Sequence, residues 1–503
     1  MFIDCKNLPD NSTIDTDVCV IGAGAAGITI AREFIGSPER VAVIESGGFK
    51  PDARTQALYK GDNVGLPTFD LEVNRLRYFG GTTNHWAGHC RPLDRIDFEV
   101  RDWMPHSGWP ISRADLESYY RRAQPICGLG PYEYENLDFW TTKTGLPDLE
   151  LDDARLKSAV YNQSPPTRFG KVYREELGKA TNVKVYLNAN LQELRTDSSA
   201  SKVTQARVTC IDGPKVSVSA RLFILATGGM ENARILLLSD KDRSGGLGNE
   251  QGLVGRYFMD HILLRPGEDI SLSDPKLNLD LYHSLHSVDG GKMFSVLAST
   301  ERLMRKERMP NFRIHLIRAS AQNKTPVGKI FTLLDELADP AGDRPRLESK
   351  TKRDSIALHL VLEPVPNPDS RISLTDKRDL FGQKKIAVNW QVTDADLAAV
   401  YRALELAALE FGRMGYGRGC GVIFEDQEHW PSNLEAGRHH CGTTRMSTSP
   451  KTGVVNRDCQ VFDVPNLYIA GSSVFPTIGY ANPTLTIVAL ALRLADHAKE
   501  QLR

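Results

Sequence analysis

Nowhere does this sequence run 18 apolar residues without a break, so no transmembrane helix is expected. Its opening stretch, MFIDCKNLPDNSTIDTDV, has no cationic segment followed by an apolar one, the pattern of a secretory leader. A cytoplasmic location is the expectation, although a secreted partner could carry the chain out. No CxxC pair occurs among the eight cysteines at 5, 19, 90, 127, 210, 420, 441 and 459, so neither a zinc knuckle nor a disulfide framework is indicated. Reduced, mostly buried thiols and no metal are expected. Charge of either sign is not in excess: 62 Lys and Arg face 63 Asp and Glu, for a net charge of -1. Without a basic stripe, nucleic acid is a poor partner. Internal repeats, coiled-coil heptads and low-complexity tracts are absent as well.

What remains is a chain of 503 residues, 41% hydrophobic and 25% charged, long enough for two or three domains with large cores. Its first unit is plain. DVCVI at 17–21 is a short apolar run, GAGAAG follows at 22–27, ITIAREFI has helical spacing, and VAVIES at 41–46 is a second apolar run. That order predicts strand, tight turn, helix, strand. Gly22 permits the turn, Gly24 lets the backbone approach a pyrophosphate at the helix N-terminus, and Gly27 lets helix and strand pack closely. Glu45, 18 residues beyond Gly27, is placed to accept from an adenosine ribose hydroxyl. An acidic residue there disfavours a 2′-phosphate and so NADP, leaving NAD and FAD open.

Further along, NVKVYLNANLQEL alternates as a strand does. VTQARVTC, KVSVSA and RLFILATGG then read as a small meander returning to a buried strand. ATGG at 226–229 offers a second glycine turn between strand and helix. From about 265 to 425 the texture changes to strands such as MFSVLAST, NFRIHLIRAS, SIALHLVLEPV and KKIAVNWQV, with a helix at about 394–412. His315 and His359, inside two of these strands, read as satisfied core histidines. The last 65 or so residues return to nucleotide-domain texture: NLYIAGSSVFPT is a buried strand entering a turn, and NPTLTIVALALRLADHAKE is a helix begun by proline. The fold expected is α/β, α+β overall. A Rossmann-like nucleotide domain formed by 1–264 and 426–503 encloses an inserted substrate domain, 265–425, on an antiparallel sheet with flanking helices. The site should lie at their junction.

Several ordered pieces together resemble the glucose–methanol–choline (GMC) family of FAD oxidoreductases, nearest its pyranose-oxidase-like bacterial members. They are DVCVIGAGAAG with VIES, FGGTTNHW at 79–86, ATGGMENARILL at 226–237, VGRYFMDH at 254–261, EPVPNPDSRISL at 363–374, HHCGTTRM at 439–446 and NLYIAGSSVFPTIGYANPTLTIVALALRLADH at 466–497. Residues 265–350 carry no matching motif. The resemblance implies FAD rather than NAD. It implies cofactor contacts from Gly22, Gly24, Ala25, Gly27, Glu45, Gly80, Gly81, Asn84, His85, Ala226, Gly471, Asn482, Pro483 and Thr484, with loops near 78–130 covering the flavin.

The family pattern His-x-x-Gly-Thr-x-Arg-Met puts His439 in the catalytic position and His440 beside it, facing away from the flavin. It makes Asn482 the second member of the catalytic pair. An imidazole of near-neutral pKa takes the hydroxyl proton while hydride leaves for flavin N5, and an amide holds the substrate oxygen without changing charge. His85 stands where relatives bond the flavin covalently, but Thr82, Thr83 and Asn84 precede it in place of methionine, serine and threonine, so the match is partial. His89 and Cys90 are assigned to the flavin-covering loop, and neither they nor His261 receives a chemical role.

The activity implied is oxidation of a primary or secondary alcohol, of a sugar or glycoside by the TNHW and YANPTL features, with dioxygen or another acceptor taking the electrons. The alternatives are a lipid or other non-sugar alcohol, a flavoprotein lyase with structural FAD, and a non-catalytic flavin-containing subunit.

Overall fold

The computed structural model describes residues 1–66, 70–199, 201–264, 270–274, 276–318, 355–419 and 434–503. The predicted strand–turn–helix–strand unit is present as strand Val18–Ile21, helix Ala25–Glu33 and strand Val41–Ile44. Both strands are buried at every position, the pattern of a parallel sheet covered on its two faces. They lie inside a six-stranded sheet in the order Phe2–Asp4, Val183–Leu187, Val41–Ile44, Val18–Ile21, Leu222–Leu225, Leu467–Ile469. All of its pairings are parallel. The last strand comes from the C-terminal region, so both ends of the chain build this one sheet.

Glycine at 22 and 27 is a steric requirement. Gly22 has φ +104°, and a Cβ there would lie 2.5 Å from the Ala226 carbonyl oxygen; one on Gly27 would lie 1.8 Å from that of Gly22. Backbone cannot retreat from such contacts without separating helix from strand. We therefore expect Gly27→Val to lower stability by at least about 3 kcal/mol and to abolish cofactor retention, read from the thermal midpoint and the 450 nm absorbance per mole of protein.

The stretch NVKVYLNANLQEL does not form one strand. It divides into Val183–Leu187, in the parallel sheet, and Asn190–Thr196, at the edge of a separate four-stranded sheet. The break falls at Asn188, whose φ of +59° is one that asparagine tolerates better than most residues. Strand Val203–Thr209 pairs antiparallel with Lys215–Ser219 as the meander predicts.

The antiparallel sheet is the largest, ten-stranded. Its centre holds Leu156–Gln163, Gly291–Ser299, Phe312–Arg318 and Ser355–Leu362. Of these, Leu156–Gln163 comes from ahead of residue 265, as do His89–Cys90 and Ile262–Leu264, which the sheet also holds, and Leu434–Ala436 comes from beyond 425. Helix Asp394–Arg413 covers it, opened by a capping box between Thr393 and Asp396. After GWPIS at 108–112, helix Arg113–Ile126 opens with a capping box of Ser112 and Asp115. The seven described cysteines are all free and buried, while Cys420 and residues 319–354 lie outside the described residues. Among the described residues no helix is long and apolar enough to cross a membrane.

Candidate active site

A cavity of about 380 Å³ runs from the first glycine turn to the face of the antiparallel sheet. One end is backbone. Helix Ala25–Glu33 has Gly24 as its N-cap with no side chain capping it, and nothing stands within 4 Å of where a Cβ on Gly24 would be. The helix thus presents bare N–H groups to the cavity, which suits a pyrophosphate. Glu45 is buried at this end and accepts from the backbone N–H of Ala23 at 2.9 Å and of Gly47 at 2.8 Å. Burial raises its pKa against the pull of those two donors and of Arg77. The glycine turn at 226–229 lines the cavity beside the first, with the Ala226 N–H donating to the Ile21 carbonyl at 2.7 Å. An extended cavity with an open helix N-terminus, an acidic residue closing the second strand and two adjacent glycine turns fits an adenine dinucleotide such as FAD.

Of the residues proposed to touch the cofactor, Gly22, Gly24, Ala25, Glu45, Gly81, His85, Ala226, Gly471, Asn482, Pro483 and Thr484 line this cavity. Gly27, Gly80 and Asn84 do not. Gly27 is spent on the packing already described. Gly80 donates its N–H to the Ala23 carbonyl at 2.8 Å, and the Asn84 amide donates to the Phe79 carbonyl at 3.0 Å, so both shape the loop behind the wall. His85 opens onto the cavity. The chain packed around its ring, then Arg438 and Arg168, lower its pKa to about 4, so its imidazole is neutral.

The two residues assigned to catalysis meet at the other end. Asn482 Nδ2 is 3.0 Å from His439 Nε2, and His439 Nδ1 is 2.8 Å from His261 Nδ1. His261 Nε2 lies 2.7 Å from the carbonyl oxygen of Gly479. That carbonyl can only accept, so His261 carries its proton on Nε2. Burial lowers the pKa of His261 to about 4, so the ring is neutral and its Nδ1 accepts. His439 must then donate from Nδ1, which leaves a lone pair on Nε2, the atom facing Asn482. Arg313 Nη2 donates to Asn482 Oδ1 at 3.1 Å, fixing which end of the amide turns to the histidine. Asp260 holds the loop itself, accepting from His439 N at 2.7 Å and Arg438 N at 3.0 Å. His440 also reaches the cavity wall, but its ring stacks on Phe258 and its Nε2 stands 3.8 Å from Asp260.

Sequence reasoning left out the far wall. Arg313, His315 and His359 are buried yet line the cavity with His89. His315 and His359 are cross-strand partners, and the rings of His89, Phe294 and His315 pack together. Among the described residues these groups form no cluster suited to a metal ion. A signal for them existed: in FRIHLI, Arg313 and His315 occupy alternate positions between apolar residues, so one face of the strand is polar. His261 had no such signal, because its partners come from 178 and 218 residues away in sequence.

Residues 366–491 match a family model described as GMC oxidoreductase. The chain is 23% identical over 565 residues to 2-methyl-1,2-propanediol dehydrogenase of Mycolicibacterium austroafricanum, covering 97% of this chain and 95% of that one. It is 26% identical over 527 residues to paromamine 6'-oxidase of Streptomyces fradiae, covering 95% and 90%. The crystal structure of formate oxidase has the same fold, with a TM-score of 0.60 at 16% identity, covering 98% of this chain and 99% of that one.

Proposed function

Because the chain is a GMC oxidoreductase, of a family that binds FAD and acts on CH–OH groups, we propose that it oxidises the carbinol of a sugar or glycoside with His439 as general base. The single observation supporting this is the lone pair on His439 Nε2, oriented by His261 and set 3.0 Å from the Asn482 amide. FAD, when bound, supplies the hydride acceptor at flavin N5. The substrate hydroxyl donates to His439 Nε2 and accepts from Asn482 Nδ2, so its proton leaves to the imidazole as the carbon gives up hydride. The resulting charge on His439 is shared through Nδ1 with His261. The sugar reading is supported by the name of the paromamine oxidase to which the chain is similar. In the same reading, 1–264 and 426–503 hold FAD, 265–425 hold the substrate, and dioxygen or a second acceptor reoxidises the flavin.

Neutral His85, opening onto the cavity, is the proposed point of covalent FAD attachment; flavin that stays with acid-precipitated protein supports the bond, and flavin released to the supernatant refutes it. The oxidation itself is tested by adding sugars, glycosides and simple alcohols anaerobically while following absorbance near 450 nm. Bleaching by one class identifies the substrate, and rapid recovery in air marks an oxidase. A flavin that no alcohol bleaches favours the lyase reading.

A pH profile gives a second check. Burial, then His261 and Arg313, hold the pKa of His439 well below its ordinary 6.5. The lowered value keeps the base neutral as pH falls through 6.5. The reduction rate should therefore hold its plateau through that value and decline only below it; a decline centred at 6.5 or above contradicts the assignment.

A further inference from the structure

The cations around the cavity are not alike. Arg75 and Arg77 approach Glu231 at 3.2 and 3.5 Å, and Arg234 pairs with Glu231 and Asp379 at 3.2 and 2.7 Å. Arg313 has no such neighbour. Its side chain is buried, with 3% of the residue exposed. Among the described residues its Nη2 donates to Asn482 Oδ1, it also hydrogen-bonds the neutral Tyr161 side chain, and its Nε and Nη1 have no partner. Among the described residues no carboxylate pairs with it. The guanidinium lies 4.5 Å from the ring centre of Tyr161, but that phenol donates to the Tyr480 carbonyl and burial raises its pKa to about 12, so it supplies no negative charge. The rings nearest Arg313 offer none either. His89 and His261 have pKa values lowered to about 3 and about 4, and burial keeps His315 neutral too.

A buried cation with open donors costs several kcal/mol unless something entering the site pairs with it. The position of Arg313 says what that could be. It reaches the catalytic pair through the Asn482 amide, so whatever pairs with it lies within a few bonds of the reacting carbinol. On this wall one guanidinium among neutral imidazoles balances one negative charge, while Arg438, which also lines the cavity, acts on His85, His440 and Asp260 instead; a phosphate dianion would leave a charge uncompensated here.

Resting on the alcohol-oxidation reading, we infer that the substrate of this site is a hydroxy acid of the sugar-acid class, whose carboxylate pairs with Arg313 while its hydroxyl meets His439 and Asn482. Arg313 then determines specificity, and it also positions Asn482. The two roles separate kinetically: loss of the anion contact raises KM for acids alone, while a displaced Asn482 lowers kcat for acids and neutral alcohols together.

The test uses the flavin-loaded protein and two matched pairs, D-gluconate with D-glucitol and D-glucuronate with D-glucose. Anaerobic flavin reduction should show a KM at least about tenfold lower for an acid than for its neutral counterpart. Arg313→Gln should raise the KM for the acid about 100-fold more than it raises that for the neutral member, whatever both lose in kcat through Asn482, and Arg313→Lys should recover part of that difference. Wild-type protein reduced equally well or better by the neutral members overturns the inference and leaves alcohol oxidation standing. Should no compound of either kind bleach the flavin, alcohol oxidation fails instead, and calorimetric titration with D-gluconate decides the anion site alone. Saturable binding that Arg313→Gln removes supports it; no binding, or binding indifferent to the substitution, refutes it.

Discussion

His439→Ala is expected to slow flavin reduction by the substrate by about 1,000-fold with flavin content unchanged. The imidazole makes its contacts to His261 and Asn482 at the cavity wall and not to the glycine turn proposed to hold the cofactor, so chemistry and cofactor retention should separate. His440→Ala is the control. That ring stacks on Phe258, and its loss should cost less than about tenfold. His261→Phe keeps a ring in the same space and removes the acceptor for His439 Nδ1, so His439 can turn or change tautomer; a loss of about 10- to 100-fold, between those of the other two variants, is expected. Stopped-flow absorbance at 450 nm reads all three. Equal rates for His439→Ala and wild type would remove His439 from the mechanism.

The glycine-turn half of this cavity was legible in the sequence and the strand-lined half largely was not, for a physical reason. Gly22, Gly24, Gly27 and Glu45 belong to one local unit whose turn, helix start and strand end are fixed by neighbours in sequence. The same holds for the capping box at Ser112 and the final helix. Arg313, His315 and His359 act through strand pairing. Their strands read as apolar and are buried almost throughout, and only the lining of the cavity shows that one face is turned to it. His89 belongs to a two-residue strand, too short for any period. Asn188 split a single apparent strand because a left-handed residue in an alternating run leaves no hydrophobic signature.

Glu363 shows how far such placement reaches, and it carries the second large effect. It begins the motif EPVPNPDSRISL, yet its function lies in what it accepts. Arg101 pairs with it through two contacts at 2.7 and 2.9 Å, with both side chains fully buried. Glu363 also accepts the N–H of Gly479 at 2.9 Å, and the carbonyl of Gly479 is the group that orients His261. The carboxylate is kept low in pKa by Arg101, while burial and then the charge of Glu363 push Asp97, beside Gly479, up to about 8. Arg101→Met strands Glu363 without a counter-charge and should lower stability by about 3 to 5 kcal/mol, read as a fall in the urea midpoint of the flavin-loaded protein. Adding Glu363→Leu removes the stranded charge, and stability should recover in large part. The N–H of Gly479 then has no acceptor, so the His261 and His439 relay loses its support. The double variant should therefore regain its urea midpoint without regaining its rate of flavin reduction. Recovery of both together would mean that the buried pair serves the fold alone.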